Sequence, residues 1–172
     1  TGVNILAPNL GWHDIAIRDE FYARLNLPVT VDNNVRAMAL AEAMFGVGQD
    51  VYVLAYVYAR VGVGAGLVVG GELYRGGAGA GEIGHMIIMA DSGETCRCGS
   101  SGCLETLVSE PAIVRHARTL AEIDSRGSLA SHLNQPGRPV IERIFDAARA
   151  GDRITIDLLN QRARYMGIGL AN

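Results

Sequence analysis

The sequence of 172 residues contains no lysine, and all 15 of its basic residues are arginines. These arginines are scattered, and 18 acidic residues leave a net charge of −3, so the chain lacks the basic stripe of a nucleic-acid-binding surface. Aromatic residues make up only 6% of the chain. Apolar runs are strand-sized and broken by glycine, far short of the roughly 20 residues of a membrane helix. We therefore expect no membrane partner and a cytoplasmic protein.

What is present is typical of a globular protein. Hydrophobic residues make up 49% of the chain, which is long enough to bury a sizeable core. The chain opens at Thr1 without an initiator methionine, and apolar residues of a helical pattern continue to Ala171. We expect an excised fragment of a larger protein.

The first residues predict a turn and then a short helix. Pro8 to Gly11 is typical of a turn. Residues 19–27 predict a helix that directs Phe21 and Leu25 inward and ends before Pro28, because proline breaks helices.

A strand and a second helix are predicted next. The β-branched residues of Val29 to Asp32 favour a buried strand. Residues 33–45 carry apolar side chains at helical spacing, with Asn33 or Asn34 as the N-cap and Gly46 as the C-cap.

The remaining chain predicts paired strands, a long loop and then helices. Residues 51–58 and 66–69 favour strands, with a hairpin at Gly70-Gly71. Residues 76–102 are loop-like, and the pattern from Leu104 onward is mostly helical, with breaks near Gly127 and residues 135–137. The order of strand, helix, strands and helices predicts an α/β domain.

A cluster of cysteines and a histidine predicts a metal site. Cys96, Cys98 and Cys103 form a C-x-C-x4-C pattern, and His85 lies eleven residues before Cys96. Structural zinc prefers four tetrahedral nitrogen and sulfur ligands, so this set is complete. An odd number of close cysteines does not suit a disulfide framework. The alternative is three free thiols in a flexible loop.

Two carboxylates flank this cluster. Glu82 lies three residues before His85, and Glu105 lies two residues after Cys103. Carboxylates held in a glycine-rich segment are candidates for binding a polyhydroxylated ligand, since each accepts two hydroxyl hydrogen bonds. The alternative is that each is a solvated acid.

Two further features are candidate binding elements. Asn33 and Asn34 lie where a predicted strand meets a helix, the usual ligand edge of α/β proteins, although either amide could simply cap the helix. The run of alternating glycines over residues 62–66 could cradle a phosphate, and a bend between strands explains it equally well.

Four segments resemble the ROK family, which includes bacterial sugar kinases and sugar-responsive repressors. Residues 7–12 match A-P-N-L-G-W, residues 28–42 resemble P-V-x-V-E-N-D-A-N-A-A-A-L-x-E, residues 82–85 match E-x-G-H, and residues 96–105 match C-x-C-G-x-x-G-C-L-E. The last two, in this order, are highly specific. Beyond about residue 120 the resemblance is diffuse.

The resemblance implies a fold and a site. The fold would be the C-terminal lobe of an actin-like, ribonuclease-H-like sugar-kinase fold with a zinc knuckle. All of residues 1–172 would form this sugar-binding lobe, without the nucleotide-like and DNA-binding segments. It also implies zinc on His85, Cys96, Cys98 and Cys103, and sugar hydroxyls on Asn33, Asn34, Glu82, His85 and Glu105.

Departures from the family pattern favour a regulator over a kinase. Family kinases carry an aspartate as general base where this chain has Asn34, which cannot take a proton. They also carry a G-T-G-x-G-x-G phosphate loop. In the corresponding stretch of this chain, Arg60 and Val61 replace the first glycine and the threonine.

We therefore expect the kinase-inactive effector domain of a transcriptional regulator. It would bind a sugar or sugar phosphate, contact operator DNA through an absent N-terminal domain, and form a homo-oligomer. The alternative is an ATP-dependent hexose kinase with an altered site.

Overall fold

The computed structural model describes residues 2–7, 10–77 and 79–172. Its elements follow the chain in a strand-rich first half and a helical second half. In order they are β1 (Asn4–Ala7), β2 (Trp12–Ile15), α1 (Ile17–Leu25), α2 (Asn34–Phe45), β3 (Val53–Ala59), β4 (Val63–Val69), β5 (Glu72–Leu73), α3 (Leu104–Val108), α4 (Glu110–Ile123), α5 (Ser128–Leu133), α6 (Val140–Arg149) and α7 (Arg153–Ala171). The predicted α/β class is confirmed.

The sheet consists of β3, β4 and β5 in antiparallel order. Val53 pairs with Val69 at one end of the β3–β4 ladder and Ala59 pairs with Val63 at the other. The predicted hairpin at Gly70-Gly71 is confirmed, since these two residues form the turn between β4 and β5 and both have positive φ angles.

Helix α2 packs against β4, and a glycine allows the close approach. A Cβ atom added to Gly66 would lie 2.5 Å from the Cβ of Ala39 and 2.9 Å from the carbonyl oxygen of Val35. The contact places the N-terminus of α2 beside the start of β4.

The helical half forms its own apolar cluster and shares a second one with the sheet. The first contains Ala117, Leu129, Ile144, Ala147 and Leu158 from α4 to α7. The second contains Val63 of β4 with the α3 side chains Leu104, Leu107 and Val108. Helix α3 is thereby fixed against the sheet directly after the cysteine-rich loop.

Two local predictions are wrong. Residues 29–32 form no strand, because within the described residues no neighbouring strand pairs with them. Helix α1 begins at Ile17 rather than Asp19, and Phe21 and Leu25 are exposed rather than inward, since no described element covers its apolar face.

The N-terminal hairpin was not predicted. β1 and β2 pair antiparallel, with Asn4 opposite Ile15. The turn predicted at Pro8 to Gly11 falls between them, but Pro8 and Asn9 lie outside the described residues. Among the described helices, none combines the length and the apolar character needed to cross a membrane.

Candidate functional site

A cavity of about 410 Å³ lies where α2, β4 and α3 meet. The glycine-rich loop after β5 forms another of its walls. All five residues predicted to bind a sugar line this cavity: Asn33, Asn34, Glu82, His85 and Glu105. Side chains separated by up to 72 positions in the sequence are thus brought to one place.

The two asparagines have different positions at the start of α2. Asn33 is the N-cap, and its Oδ1 accepts hydrogen bonds from the backbone N–H of Val35 at 2.8 Å and of Arg36 at 3.4 Å. This bonding uses its amide oxygen and leaves its amide nitrogen for other contacts. Asn34 is the first residue of the helix, where its side chain caps nothing, so it has both amide atoms for the cavity.

The neighbouring carboxylate of Asp32 is held by donors of its own. It accepts from the backbone N–H of Asn33 at 2.8 Å and pairs with the guanidinium groups of Arg36 and Arg75. Burial raises the pKa of Asp32, but the Asn33 N–H and the two arginines outweigh that effect and hold the pKa below its ordinary value. Asp32 does not line the cavity.

Glu105 joins α3 to the glycine-rich turn between β3 and β4. Its Oε2 accepts from the backbone N–H of Val63 at 3.0 Å, and its Oε1 lies 3.5 Å from Nη2 of Arg97. The side chain is only 14% exposed. Glu105 therefore has a structural role in addition to any contact with a ligand.

Glu82 is the less constrained of the two glutamates. It is exposed, and among the described residues its carboxylate has no hydrogen-bond or ion-pair partner. It lies directly before the 3₁₀ turn of residues 83–85, which ends at His85. A carboxylate without protein donors has all its acceptor sites for hydroxyl groups of a ligand.

The glycine run at residues 62–66 begins in a turn and continues as a strand. Gly62 lies against Glu105, where an added Cβ would be 3.0 Å from Oε2, and Gly64 and Gly66 belong to β4. Val61 lines the cavity. Arg60 does not; its side chain is exposed and its Nε lies 3.8 Å from Glu110 at the start of α4.

The four predicted metal ligands converge beside this cavity. One ligand atom from each of His85, Cys96, Cys98 and Cys103 lies within 4.8 Å of all the others. The Cys98 and Cys103 sulfurs are 3.6 Å apart, and the Cys96 sulfur is 3.6 Å from Nδ1 of His85. Tetrahedral zinc bond lengths require roughly 3.8 Å between two thiolates and about 3.6 Å between a thiolate and an imidazole nitrogen. The donor set therefore could hold a metal ion.

The electrostatics of the cysteines are unequal. The backbone N–H of Ser100 lowers the pKa of Cys98 to about 6, with smaller contributions from the neighbouring thiols. Burial raises the pKa of Cys103 to about 12. A bound cation would reverse the second effect, because coordinating thiols are deprotonated outright.

His85 belongs to both the cluster and the cavity. Its Nδ1 faces the Cys96 sulfur, and the residue also lines the cavity. Nε2 therefore remains for a second contact, the usual arrangement of a metal-bound histidine and an outer partner.

Three residues near the site were not predicted. Arg36 lines the cavity from the first turn of α2, and Tyr58 lines it from β3. Arg97, between two cysteines, pairs with Glu105. Arg36 lies one helical turn after Asn33, at the same end of α2. This spacing could have identified Arg36 as a residue of the site from the sequence alone.

The fold and the cavity define an α/β lobe of the sugar-kinase type with a cysteine and histidine cluster. The ROK family model matches residues 3–172, and the chain belongs to this family. The xylose repressor of Caldicellulosiruptor bescii is 37% identical over 173 residues, covering 100% of this chain and 43% of that protein.

Two solved structures are also similar. A ROK family transcriptional regulator, a homolog of the E. coli Mlc protein, has a TM-score of 0.84 and 36% identity over 99% of this chain and 42% of that chain. A ROK family glucokinase from Streptomyces griseus, in complex with glucose and AMPPNP, has a TM-score of 0.84 and 34% identity over 99% of this chain and 55% of that chain. The chain thus spans about half the length of the relatives it matches.

Proposed function

We propose that this chain is the sugar-sensing lobe of a ROK-type transcriptional regulator that does not phosphorylate its ligand. The observation that carries the proposal is the cavity itself. It combines the carboxylates of Glu82 and Glu105 with an amide, Asn34, at the helix position where family kinases carry their base.

The ligand is a neutral sugar, a hexose or a pentose. Glu82 accepts two hydroxyl hydrogen bonds, Nε2 of His85 contacts a third hydroxyl, and the Asn34 amide both donates and accepts. The relatives support this class, because they include a protein named for xylose and a glucokinase solved with glucose.

The chemistry of phosphoryl transfer is missing from this lobe. A positioned general base contributes roughly 10²–10⁴-fold to rate, and the Asn34 amide cannot accept a proton. The Asp32 carboxylate does not line the cavity and is held by three donors of its own. Val61 has no hydroxyl for a phosphate where family kinases have threonine.

The metal of the cluster is zinc in a structural role. Three thiolates and one imidazole form a closed tetrahedral shell, which leaves no position for a reacting water. The ion would fix the backbone that carries His85 and the start of α3, and therefore Glu105, at the cavity wall.

Sugar binding acts on DNA through a change of state. A ligand shifts a conformational equilibrium only if it binds the two states with different affinity, and here those states are arrangements of this lobe relative to the rest of a homo-oligomeric protein. Operator DNA is contacted by a segment outside these residues.

Calorimetry of the full-length protein tests the proposal. Xylose, glucose, other hexoses and their phosphates are titrated in turn, and release of operator DNA is measured with each sugar that binds. We expect one neutral sugar to bind and to release the operator. Glu82→Gln should weaken that binding without changing thermal stability, because the Glu82 carboxylate has no hydrogen-bond or ion-pair partner among the described residues. Binding by none of the sugars would contradict the proposal.

The second candidate function is an ATP-dependent sugar kinase. It is favoured by the similarity to the glucokinase and by Glu82, an unengaged carboxylate in the cavity. A coupled assay of ADP release separates the two functions. Under our proposal the wild type shows no sugar-dependent turnover, and sugar-dependent turnover that disappears in Glu82→Gln would establish the kinase instead.

A further inference from the structure

Arg162 is a buried cation in the middle of α7 and does not line the cavity described above. It is 8% exposed, and its Nε is buried without a hydrogen-bond partner among the residues that the structure describes. The Cζ atom of Arg162 lies 5.8 Å from the centre of the Tyr165 ring. This cation–π contact orients the guanidinium group. It does not provide an acceptor for the N–H of Nε, which points along the plane of the guanidinium. A buried charged donor without an acceptor is costly, so Nε of Arg162 requires an acceptor that the described residues do not supply.

Arg162 lines a cavity of about 700 Å³ between α4 and α7. One side of the cavity is apolar and carries Leu120, Ile154 and Leu158, and polar side chains of Thr119 and Gln161 lie at its exposed edge. The cavity thus offers an apolar wall next to a buried guanidinium. This combination suits an organic anion better than a fully hydrated inorganic ion.

Among the residues that the structure describes, neither carboxylate at this cavity forms an ion pair with Arg162. Glu94 is occupied, because it pairs with Arg115 and lies 3.0 Å from Nε2 of His116. Asp157 is exposed and forms no ion pair among the described residues. Burial lowers the pKa of Arg162, and Tyr165 and Glu94 only partly offset that effect.

We propose that this cavity is a second ligand site, which binds the carboxylate or phosphate group of a small organic anion on Arg162. The oxyanion accepts from the guanidinium, and the rest of the ligand lies against Leu120, Ile154 and Leu158. The site is separate from the sugar cavity, with which it shares no lining residue.

Thermal unfolding of the full-length protein tests this site. Sodium butyrate, sodium butyl phosphate and sodium chloride are compared at equal ionic strength. A ligand that binds only the folded state raises the melting temperature, by about 2–4 °C or more once it exceeds its Kd several-fold. We expect this rise with butyrate if the ligand carries a carboxylate, or with butyl phosphate if it carries a phosphate group, and no rise with chloride.

Two variants and a matched control assign the effect to the cavity. Arg162→Leu should abolish the rise and, in chloride, melt no lower than the wild type, because replacing an unpaired buried charge by an apolar side chain removes its desolvation cost. Arg164→Leu removes an exposed arginine of the same helix and should retain the rise. Thr119→Trp, which fills the cavity from its edge without touching the charge, should also abolish it.

The proposal is overturned by any of three results. The first is the absence of a rise with both oxyanions in the wild type. The second is an equal rise with chloride, which would indicate an adventitious ion only. The third is a rise that persists in Arg162→Leu or, if that variant does not fold, in Thr119→Trp.

Discussion

The carboxylate of Glu105 accepts a hydrogen bond from the backbone N–H of Val63, with Oε2 and the nitrogen 3.0 Å apart. The bond joins the first turn of α3 to the start of β4. Glu105 follows Cys103 of the predicted metal site by two residues, so one side chain connects the cysteine cluster to the cavity that it lines with Asn34 and Glu82.

Substitutions at Glu105 should separate its two roles. Glu105→Ala removes the acceptor of a partly buried N–H and should lower the free energy of unfolding by about 1–3 kcal/mol. Glu105→Gln keeps an acceptor oxygen, so we expect a smaller loss of stability but weaker sugar binding. Urea denaturation and calorimetry measure the two effects. Equal loss of stability in both variants would show that the charge, rather than the hydrogen bond, holds the turn.

The asparagines at the start of α2 should differ in their effect on stability. Asn33→Ala removes the N-cap and should cost about 1 kcal/mol, whereas Asn33→Ser retains a capping oxygen and should cost less. Asn34→Ala is the matched control, since its side chain caps nothing and alanine favours the helix. Chemical denaturation compares the three variants, and a larger cost for Asn34→Ala would contradict the assignment of the cap.

The close contact between β4 and α2 requires a residue without a side chain, Gly66, on β4. Gly66→Ala would place a methyl group 2.5 Å from the Cβ of Ala39, so α2 must move, at a cost of about 1–3 kcal/mol. Sugar binding should weaken as well, because the same helix carries Asn34. Gly77→Ala, where an added Cβ meets nothing within 4 Å, is the control. A neutral Gly66→Ala would show that the two elements are less closely packed.

Removal of the metal should destabilise the lobe and impair sugar binding together. Plasma emission of protein purified without added zinc should find about one zinc per chain, as four protein ligands imply. Cys103→Ser should lose the metal and about 4 kcal/mol or more of stability. The neighbouring Thr95→Ser, which alters no ligand, should retain both. A metal-free preparation that is fully folded and binds sugar would refute the structural role.

Asp32 should contribute stability that depends on pH. Its pKa in the folded state lies below the ordinary value of 3.8, so the ionised form is favoured by folding. The contribution is complete well above pH 3.8 and is lost as the pH falls through the lower, folded-state pKa. Asp32→Asn should therefore be less stable than the wild type at pH 7, and the difference should shrink toward pH 3 in urea denaturation curves. A difference in stability that does not change between pH 7 and pH 3 would show that ionisation of Asp32 is not its cause.

Sequence patterns predicted that the three cysteines and His85 come together, because motif spacing is local information. Cys96, Cys98 and Cys103 lie within eight positions, and a close loop with glycines brings them together regardless of the surrounding fold. The long-range approach of Asn34 to Glu105 came from the family resemblance, since periodicity alone does not place α2 beside α3.

What could not be predicted depends on tertiary partners. The β-branched residues 29–32 suit a strand, but a strand requires a neighbour to pair with, and propensity does not supply one. Phe21 and Leu25 have the spacing of an inward face without a described element to cover them. The burial of Arg162 could not be predicted from the sequence either, because an arginine in a helical pattern is usually exposed.

Helix α7 contributes to both apolar clusters of the lobe, Leu158 to the one among the helices and Tyr165 to the one against the sheet. Seven residues, about two helical turns, separate these anchors. A rotation of the helical half against the sheet would therefore bend or shift α7 within this short span. Arg162 lies between these two anchors, so such a movement of α7 would change the surroundings of the buried cation.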